Sequence, residues 1–292
     1  MNRLVWKMWK HHQPLFQSCS LATRTEGTEN IVINHLNGAD AGVSILNLNK
    51  RERKNALSIQ MLADLNKAID SIRKHDMRVL VIKSTVPGTF CAGADLKERL
   101  TLTEKELSQY NIEIRSTMTR IAELPIPVLA AIDGYALGGG LELALACDIR
   151  IVSNSAKLGL VETGHGIIPG AGGTARLPRT VNPAVAKELI FTAKIFDGIE
   201  AKALGVANHV VSQNEEGNAA YLKSLDIARK ILPNGPIAIR AAKFVINKGI
   251  EVNLNSALAF EEAGYARTIP TKDRVEGLKA FVEKRCPKYN GE

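Results

Sequence analysis

Between residues 42 and 162, short runs fit for complete burial alternate with longer amphipathic ones, and that alternation leaves few architectures open. Residues 42–49 (GVSILNLN), 78–84 (RVLVIKS), 127–133 (PVLAAID) and 148–153 (DIRIVS) read as strands, and 157–162 (KLGLVE) as one more. Between the first two, Met61, Leu62, Leu65, Ala68, Ile69 and Ile72 recur at the spacing of one helix face, with Ser58 placed to cap it. Strands joined through helical segments predict an α/β fold with crossover connections. Beyond Asn182 the pattern turns almost wholly helical, over 184–193, 214–232, 236–248, 254–267 and 273–284, with breaks at PNGP (233–236) and TIPTKD (268–273). No internal repeat or long low-complexity linker interrupts it.

With 292 residues, 45% of them apolar and 23% charged, the chain is long enough to bury a core without covalent staples. Cys19, Cys91, Cys147 and Cys286 show no CxxC or zinc-site spacing; they read as reduced thiols, and no metal is implied. Residues 1–25 differ in kind. They contain no Asp or Glu, carry Arg3, Lys7, Lys10 and Arg24, and intersperse Trp6, Trp9, Leu15 and Phe16. No apolar run there is long enough for a secretory core or a membrane span. The composition is that of a mitochondrial transit peptide or of a basic tail. The organisation expected is therefore a leader over 1–28, an α/β core over 29–230 and a helical C-terminal region over 231–292. Four of the formal +8 charges lie in residues 1–25, and the remaining +4 suits an anionic ligand without implying nucleic acid.

Three segments carry chemistry. In ALGGGLELALACD (136–148) a strand leads into Gly138, Gly139 and Gly140, and a helix is expected to start at the last of them with Glu142 inside its apolar run. Glycines let backbone approach a ligand closely, and the first N–H groups of a helix, lacking intrahelical acceptors, favour negative charge. Tight packing alone would also account for the triplet. In GTFCAGADLKE (88–98) a second glycine turn follows a strand and opens into a helix; two such turns converging on one oxygen would form an oxyanion hole. In LVETGHGIIPGAGGTARLPR (160–179) Glu162 precedes a glycine-rich loop, either as a turn residue or as a second buried acid. Buried carboxylates have raised pKa values, which suits them to proton transfer near neutrality. Two carboxylates and two backbone donors can add or remove water beside a polarised carbonyl.

These segments, with AKELIFTAKIFDGIEAKALGVANHV (186–210) and EGLKAFVEKRCPKY (276–289), resemble the enoyl-CoA hydratase/isomerase (crotonase) superfamily from about residue 30 to the C-terminus. CAGADLKER, GLELALACDIR, AKELIF and RTIPTKDRVEGLKAFVEKR are most similar to its mitochondrial methylglutaconyl-CoA hydratase branch and the related hydratase-domain proteins. The resemblance implies a spiral of ββα repeats with a helical C-terminal trimerisation region, assembled as a homotrimer or homohexamer. It implies an acyl-CoA thioester as ligand, no cofactor beyond the coenzyme A of the substrate, and hydration of a 2-enoyl-CoA in the mitochondrial matrix. The acyl chain would be that of 3-methylglutaconyl-CoA or a straight one. By position in the motifs, the backbone N–H groups of Ala94 and Gly139 would hold the thioester oxygen. Glu142 would act as base toward water, Glu162 as acid toward Cα, and the Gly170 N–H would help hold the water. Coenzyme A contacts would fall on Arg53, Lys54 and Ala56, on Ala92, Asp95, Leu96 and Lys97, and on Phe281 and Lys284 toward a neighbouring subunit.

The chain departs from that branch in one respect. The branch's RNA-associated lysines, spaced four apart on the early helix, correspond here to Ile59, Ala63 and Lys67. RNA binding, which depends on neutralising phosphates, is therefore disfavoured, although Arg73, Lys74 and Arg78 lie nearby. A cation set against a second substrate carboxylate would favour the branched diacid, and His165 and Arg176 lie in the right stretch.

Overall fold

The computed structural model describes residues 22–74 and 77–292. Among them the strands are β1 (Ala22–Gly27), β2 (Ile31–Leu36), β3 (Val43–Leu48), β4 (Val79–Ser84), β5 (Thr89–Cys91), β6 (Val128–Ile132), β7 (Tyr135–Leu137), β8 (Ile149–Ser153), β9 (Lys157–Gly159), β10 (Phe196–Asp197) and β11 (His209–Val211). The α-helices are α1 (Ile59–Lys74), α2 (Leu96–Arg99), α3 (Glu104–Ala122), α4 (Gly139–Leu145), α5 (Gly173–Thr180), α6 (Pro183–Phe191), α7 (Gly198–Ala203), α8 (Ala219–Ile231), α9 (Pro236–Gly249), α10 (Leu254–Ala266) and α11 (Lys272–Glu283).

Strand patterning explains the layers. Leu46, Leu48, Leu80, Ile82, Val128, Ala130 and Ile132 face one core, shared with Met61, Leu65 and Ile69 of α1, Met118 of α3 and Leu141 of α4. The alternate residues Val43, Ile45, Val79, Val81, Leu129, Ala131 and Ile151 face a second core, covered by Ala220, Leu225 and Ala228 of α8. Burial on both faces requires strands that are apolar throughout, as parallel strands between helical layers are. Each Val, Leu, Ile or Met side chain so withdrawn from water contributes about 1.5–3 kcal/mol.

The strands form a larger sheet, in the order β1-β2-β3-β4-β6-β8-β11, and a smaller one, β10-β9-β7-β5. From β3 onward the neighbours in the larger sheet are parallel, as are β5 with β7 and β7 with β9. Each repeat gives one strand to each sheet and returns through helix: β4 and β5 then α2 and α3, β6 and β7 then α4, β8 and β9 then α5. This is the ββα spiral of the crotonase fold. Helix starts are specified locally. Ser58 Oγ accepts the Met61 N–H at 3.2 Å, Thr103 and Glu106 form a reciprocal capping box, and Asn182, Asn253 and Thr271 cap α6, α10 and α11.

The structure departs from the sequence reading at several points. Strand β1 lies within the stretch expected as a leader over 1–28; the residues before Ala22, Cys19 among them, lie outside the described residues. Its sequence, ATRTEG, has no apolar face; the ladder to β2 and the Asn34–Thr25 side-chain bond hold it. Strands β10 and β11 interrupt the stretch expected to be helical, and α8 begins at Ala219 rather than 214 because Gly217, at φ 67°, closes a turn there. Helix α4 begins at Gly139, one residue before the expected start. Cys91 and Cys147 are free and buried, each thiol pushed up to about 12 by burial, and Cys286 is free and exposed.

Candidate active site

Three strands of the smaller sheet, adjacent and parallel in the order β5-β7-β9, each release a functional group within three residues of their C-terminal ends: Ala94, Gly139 and Glu162. Gly93, at φ 96°, turns the chain after β5. Leu57 then brackets Ala94, donating to Gly93 O at 2.8 Å and accepting from the Asp95 N–H at 3.5 Å. In a parallel bridge of this kind the bracketed residue directs its own N–H away from the partner. Gly139 lies close by, since a Cβ built on it would fall 3.4 Å from Ala94 N. Gly138 enters α4 at φ 51°, ψ −122°, which places Gly139 first in the helix, with an N–H that has no intrahelical acceptor. Only glycine fits at 140, where a Cβ would fall 2.1 Å from Cys91 O. Two backbone donors from separate strands thus stand side by side.

The two carboxylates are held differently. Glu142, buried in the first turns of α4, accepts the Ala171 N–H at 2.8 Å and the Gly173 N–H at 2.7 Å, both on Oε1. Its carboxylate therefore lies at the N-terminus of α5, where backbone donors and the helix dipole favour negative charge. Burial still raises its pKa, opposed by those two N–H groups and by the charges of Arg176 and Arg99. Glu162 opens a 3₁₀ turn over Glu162–His165 and is half-buried. Its Oε1 abuts Gly138, where a Cβ would fall 3.1 Å away, and its buried Oε2 has no hydrogen-bond partner among the described residues. Burial first, and the charge of Glu142 second, push its pKa up to about 7.

Around them, Arg176 donates to Ala171 O at 3.0 Å and to Thr119 Oγ1 at 3.3 Å, tying the 170–173 loop to α3. The Tyr110 hydroxyl, also from α3, donates to Leu57 O at 2.6 Å behind the two backbone donors.

A family profile described as enoyl-CoA hydratase/isomerase matches residues 38–292. The chain belongs to the enoyl-CoA hydratase/isomerase family. It is an enzyme of the hydro-lyase class. Among its curated relatives, human mitochondrial methylglutaconyl-CoA hydratase is 55% identical over 261 residues, covering 89% of this chain and 77% of the relative. Mouse mitochondrial enoyl-CoA hydratase domain-containing protein 2 is 48% identical over 268 residues, covering 91% and 90%. The crystal structure of an enoyl-CoA hydratase from Bacillus anthracis superposes with a TM-score of 0.85 at 45% identity, covering 90% of this chain and 100% of that one.

The structure of this hydratase-family chain brings Ala94, Gly139, Glu142 and Glu162 together. Gly170 precedes the donors that reach Glu142, and a Cβ built on it would have only Asn111 Oδ1, at 3.8 Å, and Ile168 O, at 3.9 Å, nearby. Arg53 and Lys54 are exposed on the turn ahead of α1, joined to the second glycine turn by the Ala92 N–H to Lys54 O at 3.1 Å and by Arg53 to Asp95 at 4.0 Å. Ala56 is buried beneath that turn, Asp95 caps α2, and Leu96 and Lys97 are exposed on it. Phe281 and Lys284 are exposed at the end of α11, and no hydrogen bond or ion pair of the described residues links them to that cluster. His165 is exposed on the turn after Glu162.

Sequence reasoning missed Ala171 and Gly173 as holders of Glu142, and Tyr110 and Arg99 altogether. The available signal for the first pair was PGAGG (169–173) ahead of a helical segment, a loop able to offer N–H groups to an anion. Among the described residues no cluster of His, Cys, Asp and Glu is suited to a metal ion, and no helix is long and apolar enough to cross a membrane. A wide surface cavity of about 620 Å³ lies at the C-terminal end, away from these groups; its Arg285 and Lys272 are paired with Glu276 and Glu292.

Proposed function

We propose that this enzyme adds water reversibly across the double bond of a 2-enoyl-CoA, and that its substrate is 3-methylglutaconyl-CoA, converted to 3-hydroxy-3-methylglutaryl-CoA in leucine degradation in the mitochondrial matrix. The observation that carries the reaction is the pair of unlike carboxylates beside two backbone donors from adjacent strand ends. The acyl chain and the compartment are supported by the 55% identity to a mitochondrial methylglutaconyl-CoA hydratase. The acid-free basic leader composition supports the compartment as well.

In this reading the thioester oxygen rests between the Ala94 and Gly139 N–H groups, where negative charge develops as the enolate forms. In a hydrolase, loss of one such donor costs roughly 10²–10³ in rate, so two backbone donors account for a large part of the catalysis. Glu142, its Oε1 held by two backbone N–H groups, takes a proton from water as the oxygen bonds to C3. Glu162, with a pKa of about 7 and an unpartnered Oε2, delivers its proton to C2. In dehydration the two exchange roles. Water and the thioester supply every atom of the product, so the reaction calls for no cofactor. Arg53, Lys54 and Lys97 face the phosphates of coenzyme A. Ile246, Leu254, Leu258, Phe281 and Val282, exposed on α9 to α11, are covered by further copies in a trimer or hexamer.

The test is steady-state hydration by the full chain of 3-methylglutaconyl-CoA against crotonyl-CoA. The expected result is a kcat/KM at least about tenfold higher for the branched diacid, equal to about 1.4 kcal/mol of transition-state preference. Preference for crotonyl-CoA would make the chain a straight-chain hydratase, and turnover of neither would overturn the reaction.

A further inference from the structure

A site containing two carboxylates repels an acyl chain that carries a third, unless positive charge stands close to both. Three half-buried or neighbouring cations come into question. Arg176 is committed to the loop, through Ala171 O and Thr119. His165 is exposed on its turn. The remaining one is Arg99.

Arg99 ends α2, the short helix that starts just after the Ala94 donor and is capped by Asp95. Lys97 and Arg99 are separated by about 200° around the helix, so they point to opposite sides. Lys97 is exposed, whereas Arg99 is half-buried with its guanidinium carbon 5.5 Å from the centre of the Tyr110 ring. Tyr110 in turn bonds Leu57, whose Cδ1 lies 3.0 Å from where a Gly139 Cβ would be. Tyr110 and Leu57 thus link the guanidinium to the Gly139 turn. Among the described residues the guanidinium has no ion pair; of the acids beside it, Glu98 Oε2 accepts the Ile59 N–H at 2.9 Å, and Asp95 accepts the Glu98 N–H at 3.2 Å and lies 4.0 Å from Arg53. Its charge nevertheless reaches the site, since it lowers the pKa of both Glu142 and Glu162. A guanidinium half withdrawn from water without an anion is costly, and a carboxylate is the partner its planar fork matches best.

We propose that Arg99 binds a second carboxylate on the acyl chain, two carbons beyond the carbon that takes the oxygen of water, and so selects dicarboxylic 2-enoyl-CoA substrates over neutral ones. The proposal rests on the hydratase reading above but not on the methyl branch. The test compares the full chain with Arg99→Met and Arg99→Lys on glutaconyl-CoA and crotonyl-CoA, whose acyl chains differ by the distal carboxylate alone. The Met variant is expected to lose kcat/KM on glutaconyl-CoA at least about tenfold more than on crotonyl-CoA, mainly through KM, and the Lys variant to recover part of it. Retained turnover of crotonyl-CoA shows that the variant is folded. Equal losses on both substrates would overturn the assignment, because a merely structural role, or one exerted only through the two glutamates, affects both alike. Wild-type turnover of neither thioester would instead overturn the hydratase reading.

Discussion

Replacing Glu162 with Gln isolates the energetic cost of the proton donor from its catalytic benefit. The carboxyl climbs from an ordinary 4.5 to about 7, chiefly through burial and then through the charge of Glu142. At about 1.4 kcal/mol for each pH unit, ionising it inside the fold costs about 3 kcal/mol if water is wholly excluded. The side chain is half-buried, and solvent screening reduces the figure to about 1–2 kcal/mol. The folded chain holds this proton more tightly than the unfolded chain does. The group's contribution is therefore most favourable below pH 4.5 and is lost as the pH rises through about 7. Urea unfolding of both proteins at one protein concentration, at pH 5 and at pH 8, measures the effect. Glu162→Gln should gain about 1–2 kcal/mol on the wild type between those pH values, because it has no carboxyl to ionise. Hydration by the variant should fall by at least about 100-fold. Wild-type hydration should decline above pH 7, where the donor has lost its proton, and dehydration below it. Parallel stability profiles for the two proteins would refute the argument, as would a variant with near-wild-type turnover.

Two further perturbations probe how Glu142 is held. A Cβ at Gly173 would fall 3.0 Å from both Cγ and Oε1 of Glu142 and 2.9 Å from Leu160 Cδ1. Gly173→Ala should therefore lower kcat about 10- to 100-fold by displacing the carboxylate, with a stability loss of about 1–3 kcal/mol read by thermal unfolding. Unchanged kcat would mean that the base is not where the structure puts it. Arg176→Met releases Ala171 O and removes a positive charge that lowers the Glu142 pKa. The acid limb of the pH–kcat profile for hydration, where Glu142 must be ionised, should move to higher pH, and a profile that does not move would show that Arg176 only packs the loop.

Long elements were legible in the sequence because their periodicity is long enough to be read. Sixteen residues of α1 repeat one apolar face more than four times, and β4 and β6 are apolar on both sides because both are covered. Strands β5 and β7 have three residues each, too few to show alternation, and they read as turns although they carry the site. Strand β1 escaped notice because its pairing is made by backbone and by polar side chains. The glutamates were legible as acids stranded among glycines and apolar residues. What was not legible was distance. Glu142 meets Ala171 and Gly173 across some thirty residues of chain, and Arg99 meets Tyr110 across a turn and two helix ends. Local spacing carries no such information.

The smaller sheet also explains why these chemical groups tolerate so little displacement. Neighbouring strands in a ladder stand about 4.8 Å apart, and β5, β7 and β9 are consecutive rungs. The backbone positions of Ala94, Gly139 and Glu162, each within three residues of a strand end, therefore follow from that ladder. Two contacts transmit that spacing without slack: Gly140 against Cys91 O, which fixes α4 to β5, and the Gly138 N–H to Gly159 O at 2.8 Å, which fixes the glycine turn to β9. Glu142 lies outside the ladder, and its position depends instead on α5 through two N–H bonds. Glu142 shares α4 with Gly139, but its carboxylate is seated on the start of α5 and can be adjusted there separately. In the proposed mechanism, variation in the 170–173 loop should accordingly tune Glu142 with little effect on Ala94 and Gly139, whereas any residue larger than glycine at 140 displaces α4 from β5 and so disturbs both of them.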